Sequence, residues 1–198
     1  PDGRRVSMGW MDMWNSPMPS KSEFWSGCFT LPREITFDKS KNRLRMIPVK
    51  EVESLRQEKQ TIQPLTLNNQ SIELINNTTA IELDLTLSLD SHAEKFGLWL
   101  GEGLELFVDN QSHRLVLNRH YPQHNMSGAR SIPLPEGCEL NLRIFIDRSS
   151  IEVFVNKGEF TFSSRYYAQQ DTQTLRLFAM NGDATLINGQ YWLLNSIY

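Results

Sequence analysis

A chain of 198 residues has room for one large domain, or for one domain and part of another. With 39% hydrophobic and 22% charged residues it can build a core, and a formal net charge of −3 supplies no basic face for nucleic acid. No apolar run approaches the roughly 18 residues of a membrane-spanning helix, so neither nucleic acid nor membrane is expected as a partner.

Residues 1 to about 34 are aromatic-rich and read as strands interrupted by a polar loop, Asn15 to Glu23, which contains Pro17 and Pro19. Thr36 to Met46 reads as strand-turn-strand, with Asp38-Lys39-Ser40-Lys41-Asn42 at the reversal. After Pro48, Val49, Val52, Leu55 and Arg56 recur at three- to four-residue spacing as far as Lys59, which predicts a short helix. Everything beyond Thr61 reads as strands. Ile81, Leu83, Leu85, Leu87 and Leu89 alternate with Glu82, Asp84, Thr86 and Ser88, so one face is expected in the core and the other in water.

Further strands are expected around 71–76, 96–101, 104–109, 113–118, 140–147, 150–156, 159–165, 174–180, 184–188 and 190–196. Turn signals part them every 8–12 residues or so, the spacing of an all-β sandwich or barrel. Leu140 to Arg165 is the clearest stretch. Leu140, Leu142, Ile144 and Ile146 alternate with Asn141, Arg143, Phe145 and Asp147; a turn follows at Asp147 to Ser150. Ile151, Val153 and Val155 then alternate with Glu152 and Phe154, Asn156-Lys157-Gly158 reverses the chain, and Phe160 and Phe162 restart it.

Few residues suggest chemistry. Asp147 and Glu152 flank one turn, but a hairpin tip offers no desolvated pocket to separate two carboxyl pKa values. Asp147 is expected to hold the turn and Glu152 to lie on a solvated strand face. His113, His120 and His124 are expected on surface loops, because Tyr121-Pro122 argues against the helix that would align the last two as ligands; no metal site is expected. Gly101-Glu102-Gly103 reads as a hairpin turn, Ser149-Ser150 lacks a nucleophile elbow, and Arg33 is expected to pair with Glu34. Trp10, Trp14 and Trp25 crowd the first segment with Met8, Met11, Met13 and Met18; such rings suit sugar faces and buried packing equally. Cys28 and Cys138 are expected as reduced, buried thiols in a cytoplasmic protein. Sequons beginning at Asn69, Asn76, Asn77, Asn110 and Asn125 carry the alternative, secretion.

Gly9-Trp10-Met11, Trp25-Ser26-Gly27, Leu31-Pro32-Arg33-Glu34, Phe96-Gly97-Leu98, Leu115 to Arg119 and the run from Leu140 to Arg165 occur here in one order. Together they closely resemble glycoside hydrolase family 32, over essentially the whole chain. The family's WMNDPNG-like, RDP and EC motifs, which carry its nucleophile and acid/base, are absent; Glu139 follows Cys138 in the reverse order. The resemblance implies the C-terminal part of a retaining β-fructofuranosidase acting on sucrose, sucrose 6-phosphate or a related fructoside, with no cofactor. It implies an all-β fold: residues 1–47 as the last strands of a five-bladed catalytic β-propeller, 48–60 as a linker, expected to be helical, and 61–198 as a two-sheet antiparallel β-sandwich. The expected partners are the N-terminal catalytic propeller and a further copy of the enzyme, through sandwich contacts. No catalytic residue is expected in this chain, while Trp10 and Trp14 are expected near the pocket for the fructosyl unit. The alternative is a carbohydrate-binding sandwich without catalysis, with Trp99, Tyr166, Tyr167 and Trp192 as candidate platform residues.

Overall fold

The computed structural model describes residues 2–12, 18–78, 80–101, 103–121, 126–167 and 173–197. Three antiparallel sheets contain the described strands. The N-terminal sheet is small, with order β1 (Val6–Ser7), β2 (Arg33–Asp38), β3 (Arg43–Pro48). A 3-10 helix, Pro19–Glu23, lies between its first two strands, within the stretch expected as loop. A second, Lys50–Leu55, follows the sheet.

This second helix is shorter and tighter than the periodicity suggests. Its continuation is pre-empted by pairing: Arg56 adopts an extended conformation and bridges to Leu194, and Gln57 N donates to the Leu193 carbonyl at 2.9 Å. A 3-10 turn is the geometry the chain uses when only a short piece fits between two such commitments.

The remaining strands are β4 (Gln60–Ile62), β5 (Leu65–Asn68), β6 (Ser71–Thr78), β7 (Ile81–Ser88), β8 (Lys95–Leu100), β9 (Leu104–Asp109), β10 (Arg114–Tyr121), β11 (Met126–Pro133), β12 (Glu139–Asp147), β13 (Ser150–Val155), β14 (Phe160–Arg165), β15 (Gln173–Met180) and β16 (Asp183–Leu193). One sheet has the order β11-β10-β9-β8-β15-β6, and the other β14-β13-β12-β7-β16-β4, with β5 also paired to β16. They pack face to face as a sandwich. The core is the alternating set read from sequence: Leu83, Leu140, Ile144 and Val153 on one side meet Leu98, Leu106, Leu117 and Leu177 on the other. Hairpins form at Asp147 to Ser150 and at Asn156 to Gly158; in the second, Asn156 and Lys157 take positive φ values of 46° and 58°.

Three differences from the sequence reading have physical causes. The stretches 184–188 and 190–196 are one strand, β16, because a register shift between Leu186 and Asn188 carries the chain past Gly189 without a turn. β11 exists although Met126 to Pro133 shows little alternation; it is an edge strand, paired along its whole length to β10 and exposed over most of it. The polar positions of β7 do not all face water: Glu82 is fully buried, held by Arg56 and Arg143, and Thr86 is nearly so, donating to Asn141 Oδ1 at 3.1 Å. Phe145 and Phe154, on the same outer face, pack with Val49 and Val52 into a second small core. His120 lies within β10, not on a loop, and His124 falls outside the described residues.

Leu83 is completely buried between the sheets. Leu83→Ala is expected to lower stability by about 2–5 kcal/mol, because the close-packed sheets cannot collapse onto the space left. Urea unfolding followed by circular dichroism checks this.

Candidate functional site

The aromatic-rich N-terminal part is held by one short irregular crossing. Met11 N donates to the Cys28 carbonyl and Thr30 N to the Gly9 carbonyl, both at 2.8 Å, so residues 9–11 run antiparallel to 28–30, with Trp10 opposite Phe29. The Trp10 indole lies across Gly27, whose φ is +81°; a Cβ there would stand 2.2 Å from Trp10 Nε1, so only glycine fits. Trp10 remains 45% exposed. Trp14 lies outside the described residues. Trp25 is 41% exposed, and its ring carries the Arg165 guanidinium at 5.0 Å.

Arg165 itself is buried. It donates to the Ser149 carbonyl at 3.0 Å, to the Tyr167 hydroxyl at 2.6 Å and to Cys28 Sγ at 3.3 Å. Burial pushes the Cys28 thiol up, against the pull of the Arg165 charge. Cys138, by contrast, is exposed rather than buried, and both cysteines are free. Asp12 is buried beside this group and accepts from Ser26 Oγ at 2.8 Å.

The centre of the junction is Glu152. It is 4% exposed, not solvated as the alternation on β13 suggests. One carboxylate oxygen accepts from Leu31 N at 2.6 Å and the other from Arg33 Nη2. Arg33 therefore pairs across 119 positions of sequence and not with its neighbour Glu34; it also donates to Ser163 Oγ and stacks over Phe154 at 5.2 Å. A second buried carboxylate, Glu82, accepts from Arg56 at 2.7 and 2.8 Å and from Arg143 Nε at 2.7 Å. Arg56 covers the buried Trp192 at 4.0 Å. A third, Glu159, accepts from Lys41 at 2.9 Å and Arg43 at 2.8 Å.

This arrangement holds elements together and offers no acid/base pair. Both Glu152 oxygens are occupied by donors, and Asp147, exposed, accepts from Arg148 N at 2.7 Å. Among the described residues no three His, Cys, Asp or Glu side chains converge as metal ligands would. Of the aromatic platform candidates, Tyr166 and Trp192 are buried, and the Tyr167 hydroxyl is engaged by Arg165; only Trp99 lines an open groove. Sequence reasoning put Glu152 and Glu82 on solvated faces and Arg33 beside Glu34, and missed their burial and their long-range pairing. Phe145 and Phe154 at the nominally polar positions of β12 and β13 were the available signal, since apolar residues on both faces mark a covered sheet.

The structure is thus an antiparallel β-sandwich with a small sheet, and an aromatic-rich segment between its first two strands, fastened to the outside of one layer. Residues 51–193 match the profile "Glycosyl hydrolases family 32 C terminal", and residues 1–48 match "Glycosyl hydrolases family 32 N-terminal domain". The chain belongs to glycoside hydrolase family 32. It is 53% identical over 194 residues to a sucrose-6-phosphate hydrolase of Escherichia coli, covering 98% of this chain and 40% of that protein. A raffinose invertase of Escherichia coli is 52% identical over the same extents. The chain therefore spans about 40% of the length of these relatives. Among solved structures, exo-inulinase from Aspergillus awamori shares the fold with a TM-score of 0.80 at 22% identity, over 98% of this chain and 41% of that one. Sucrose-6-phosphate hydrolase from Lactobacillus gasseri gives a TM-score of 0.76 at 23% identity, over 100% and 40%.

Arg33→Ala leaves the Glu152 carboxylate buried with the Leu31 N–H alone, and is expected to cost about 3–5 kcal/mol. The paired replacement Arg33→Met with Glu152→Met is expected to recover most of that loss, because two apolar side chains need no solvation. Denaturant unfolding of the two single variants and the double variant checks both expectations.

Proposed function

We propose that this chain is the C-terminal portion of a retaining β-fructofuranosidase that hydrolyses sucrose, sucrose 6-phosphate or a related fructoside in the cytoplasm. In this reading residues 1–47 close the catalytic propeller, 48–60 link, and 61–198 form the supporting sandwich. One carboxylate of the catalytic part attacks the anomeric carbon, another protonates the leaving oxygen, and water resolves the fructosyl-enzyme. Trp10 and Trp14 line the pocket for the fructosyl unit, where C–H groups of the sugar pack on their rings.

The observation that carries this reading is where apolar surface stays uncovered. Of the eleven large hydrophobic side chains that stand exposed among the described residues, eight fall between Val6 and Leu44. Phe24 is 99% exposed, Phe29 65%, and Phe37 and Leu44, opposite each other across β2 and β3, 54% each. A small sheet that anchors so firmly on one side and leaves this much apolar surface bare has a partner to bury it. The strong similarity to the sucrose-6-phosphate hydrolase and the raffinose invertase over nearly the whole chain supports a catalytic domain as that partner.

Alone, the chain is expected to release no fructose from sucrose, because the charge of the transition state needs both carboxylates in one dry pocket. Co-expression with a polypeptide that carries the family's catalytic carboxylates and ends just before Pro1 is expected to restore hydrolysis. Replacing the nucleophilic Asp of the added piece should abolish that activity, and Trp10→Ala should lower kcat/KM at least about tenfold while the two pieces still co-purify. A folded complex inert on sucrose, sucrose 6-phosphate and raffinose would contradict the proposal.

A further inference from the structure

The outer face of the six-stranded sheet, on the far side of the sandwich from the N-terminal segment, carries an open groove of about 510 Å³. Its lining includes Trp99, Glu105, Asn118, His120 and Arg176. Register explains why these meet. Arg176 on β15 stands opposite Trp99 on β8, Trp99 opposite Glu105 on β9, and Glu105 opposite Asn118 on β10. Four neighbouring strands thus set one row of side chains across the sheet, over about 14 Å at the usual strand spacing. Gly103, with φ +101°, keeps one end of the groove bare: a Cβ there would come within 2.5 Å of the His120 carbonyl oxygen.

The row differs from an ordinary solvated sheet face in three respects. Trp99 is held by stacking on the buried Phe178, ring centroids 4.2 Å apart and planes 11° from parallel, so its indole is fixed before any ligand arrives. Asn118 Nδ2 donates to Glu105 Oε2 at 3.0 Å, which fixes the amide and leaves its carbonyl oxygen and Glu105 Oε1 as acceptors. Arg176, although exposed between an aromatic ring and a carboxylate, makes no hydrogen bond or ion pair among the described residues, and neither does the Trp99 indole N–H. Fixed acceptors and an exposed guanidinium stand beside a fixed aromatic ring; Glu73 of β6 faces Arg176 from its other side, so one positive charge stands between two negative ones.

We propose that this groove is a binding site for a short neutral oligosaccharide, separate from the fructosyl pocket. A pyranose or furanose ring presents C–H groups suited to an aromatic edge or face, and vicinal hydroxyls suited to a guanidinium and a carboxylate that can each bond two oxygens. Two carboxylates, Glu73 and Glu105, around one guanidinium favour a neutral ligand over a phosphate. The volume lies within the range of small-molecule sites. Within the fructosidase reading the site tethers substrate on the sandwich, whereas the binding itself does not depend on that reading.

The test uses the chain with 15N-labelled tryptophan, whose Trp99 indole signal is assigned by its disappearance in Trp99→Phe. Raffinose, maltotriose and inorganic phosphate are titrated separately, and the dispersion of the other indole signals reports that the chain stays folded. Raffinose is expected to move the Trp99 signal saturably. Arg176→Ala and Glu105→Gln are each expected to weaken that binding about 5–10-fold, the loss of one or two hydrogen bonds. Maltotriose acting in the same way supports a site for neutral oligosaccharides in general. A Trp99 signal that raffinose and maltotriose leave in place in the folded chain overturns the proposal. So does movement by phosphate alone, a response confined to the Trp10 signal, or affinity unchanged in both variants.

Discussion

A carboxylate buried between two parts of a chain has to be satisfied by donors from both, and Glu152 is placed under that requirement. It projects from β13 on the outer face of the sandwich, yet is 4% exposed, because Leu31 and Arg33 lie over it and fill both of its oxygens. Removing a charge from water costs several kcal/mol, which only close donors offset. The pair therefore contributes less to net stability than to selectivity. Any other seating of residues 31–33 would strand the carboxylate, so β2 has one acceptable position on the sheet.

The same logic recurs on either side. Glu82 takes Arg56 from the end of the second 3-10 helix, and Glu159 takes Lys41 and Arg43 from the turn and start of β3. In each case the acceptor belongs to the sandwich and takes donors from the first 56 residues, with Arg143 of β12 as a further donor to Glu82. Between them the small apolar cluster of Val49, Val52, Phe145 and Phe154 excludes water from the junction, which strengthens every ion pair near it. Met46 N also donates to the Gly158 carbonyl at 3.0 Å, which ties β3 to the turn between β13 and β14. Polar contacts thus orient the N-terminal sheet on the sandwich, and apolar surface is left for something else to cover.

The inner face of the sandwich was legible in sequence because alternation reports burial directly: Ile81 to Leu87 and Leu140 to Ile146 lie where their period puts them. The motif order from Gly9 to Arg165 gave the family. The outer face was not legible, because Glu82 and Glu152 occupy polar positions whether water or an arginine faces them. What decides is a partner 26 residues away in one case and 119 in the other. β11 escaped for a related reason: an edge strand with most residues exposed has no inward set to alternate. Trp10 was placed among candidate sugar contacts by the family resemblance and lies partly exposed, while Trp14 falls outside the described residues. The groove at Trp99 arises from register across four strands, which no local pattern contains.

The central claim is that residues 31–48 are seated on the sandwich as a fixed part of it by buried carboxylates. Hydrogen exchange of backbone amides, resolved by residue, measures this directly. The account predicts that the amides of Leu31, Met46 and Val49, which donate to Glu152, Gly158 and Pro32, exchange as slowly as those of β13, and that Arg33→Ala releases the three together while β7 and β12 stay protected. Exchange of those three amides at the rate of an unstructured peptide in the unaltered chain, beside a protected sandwich, would contradict it.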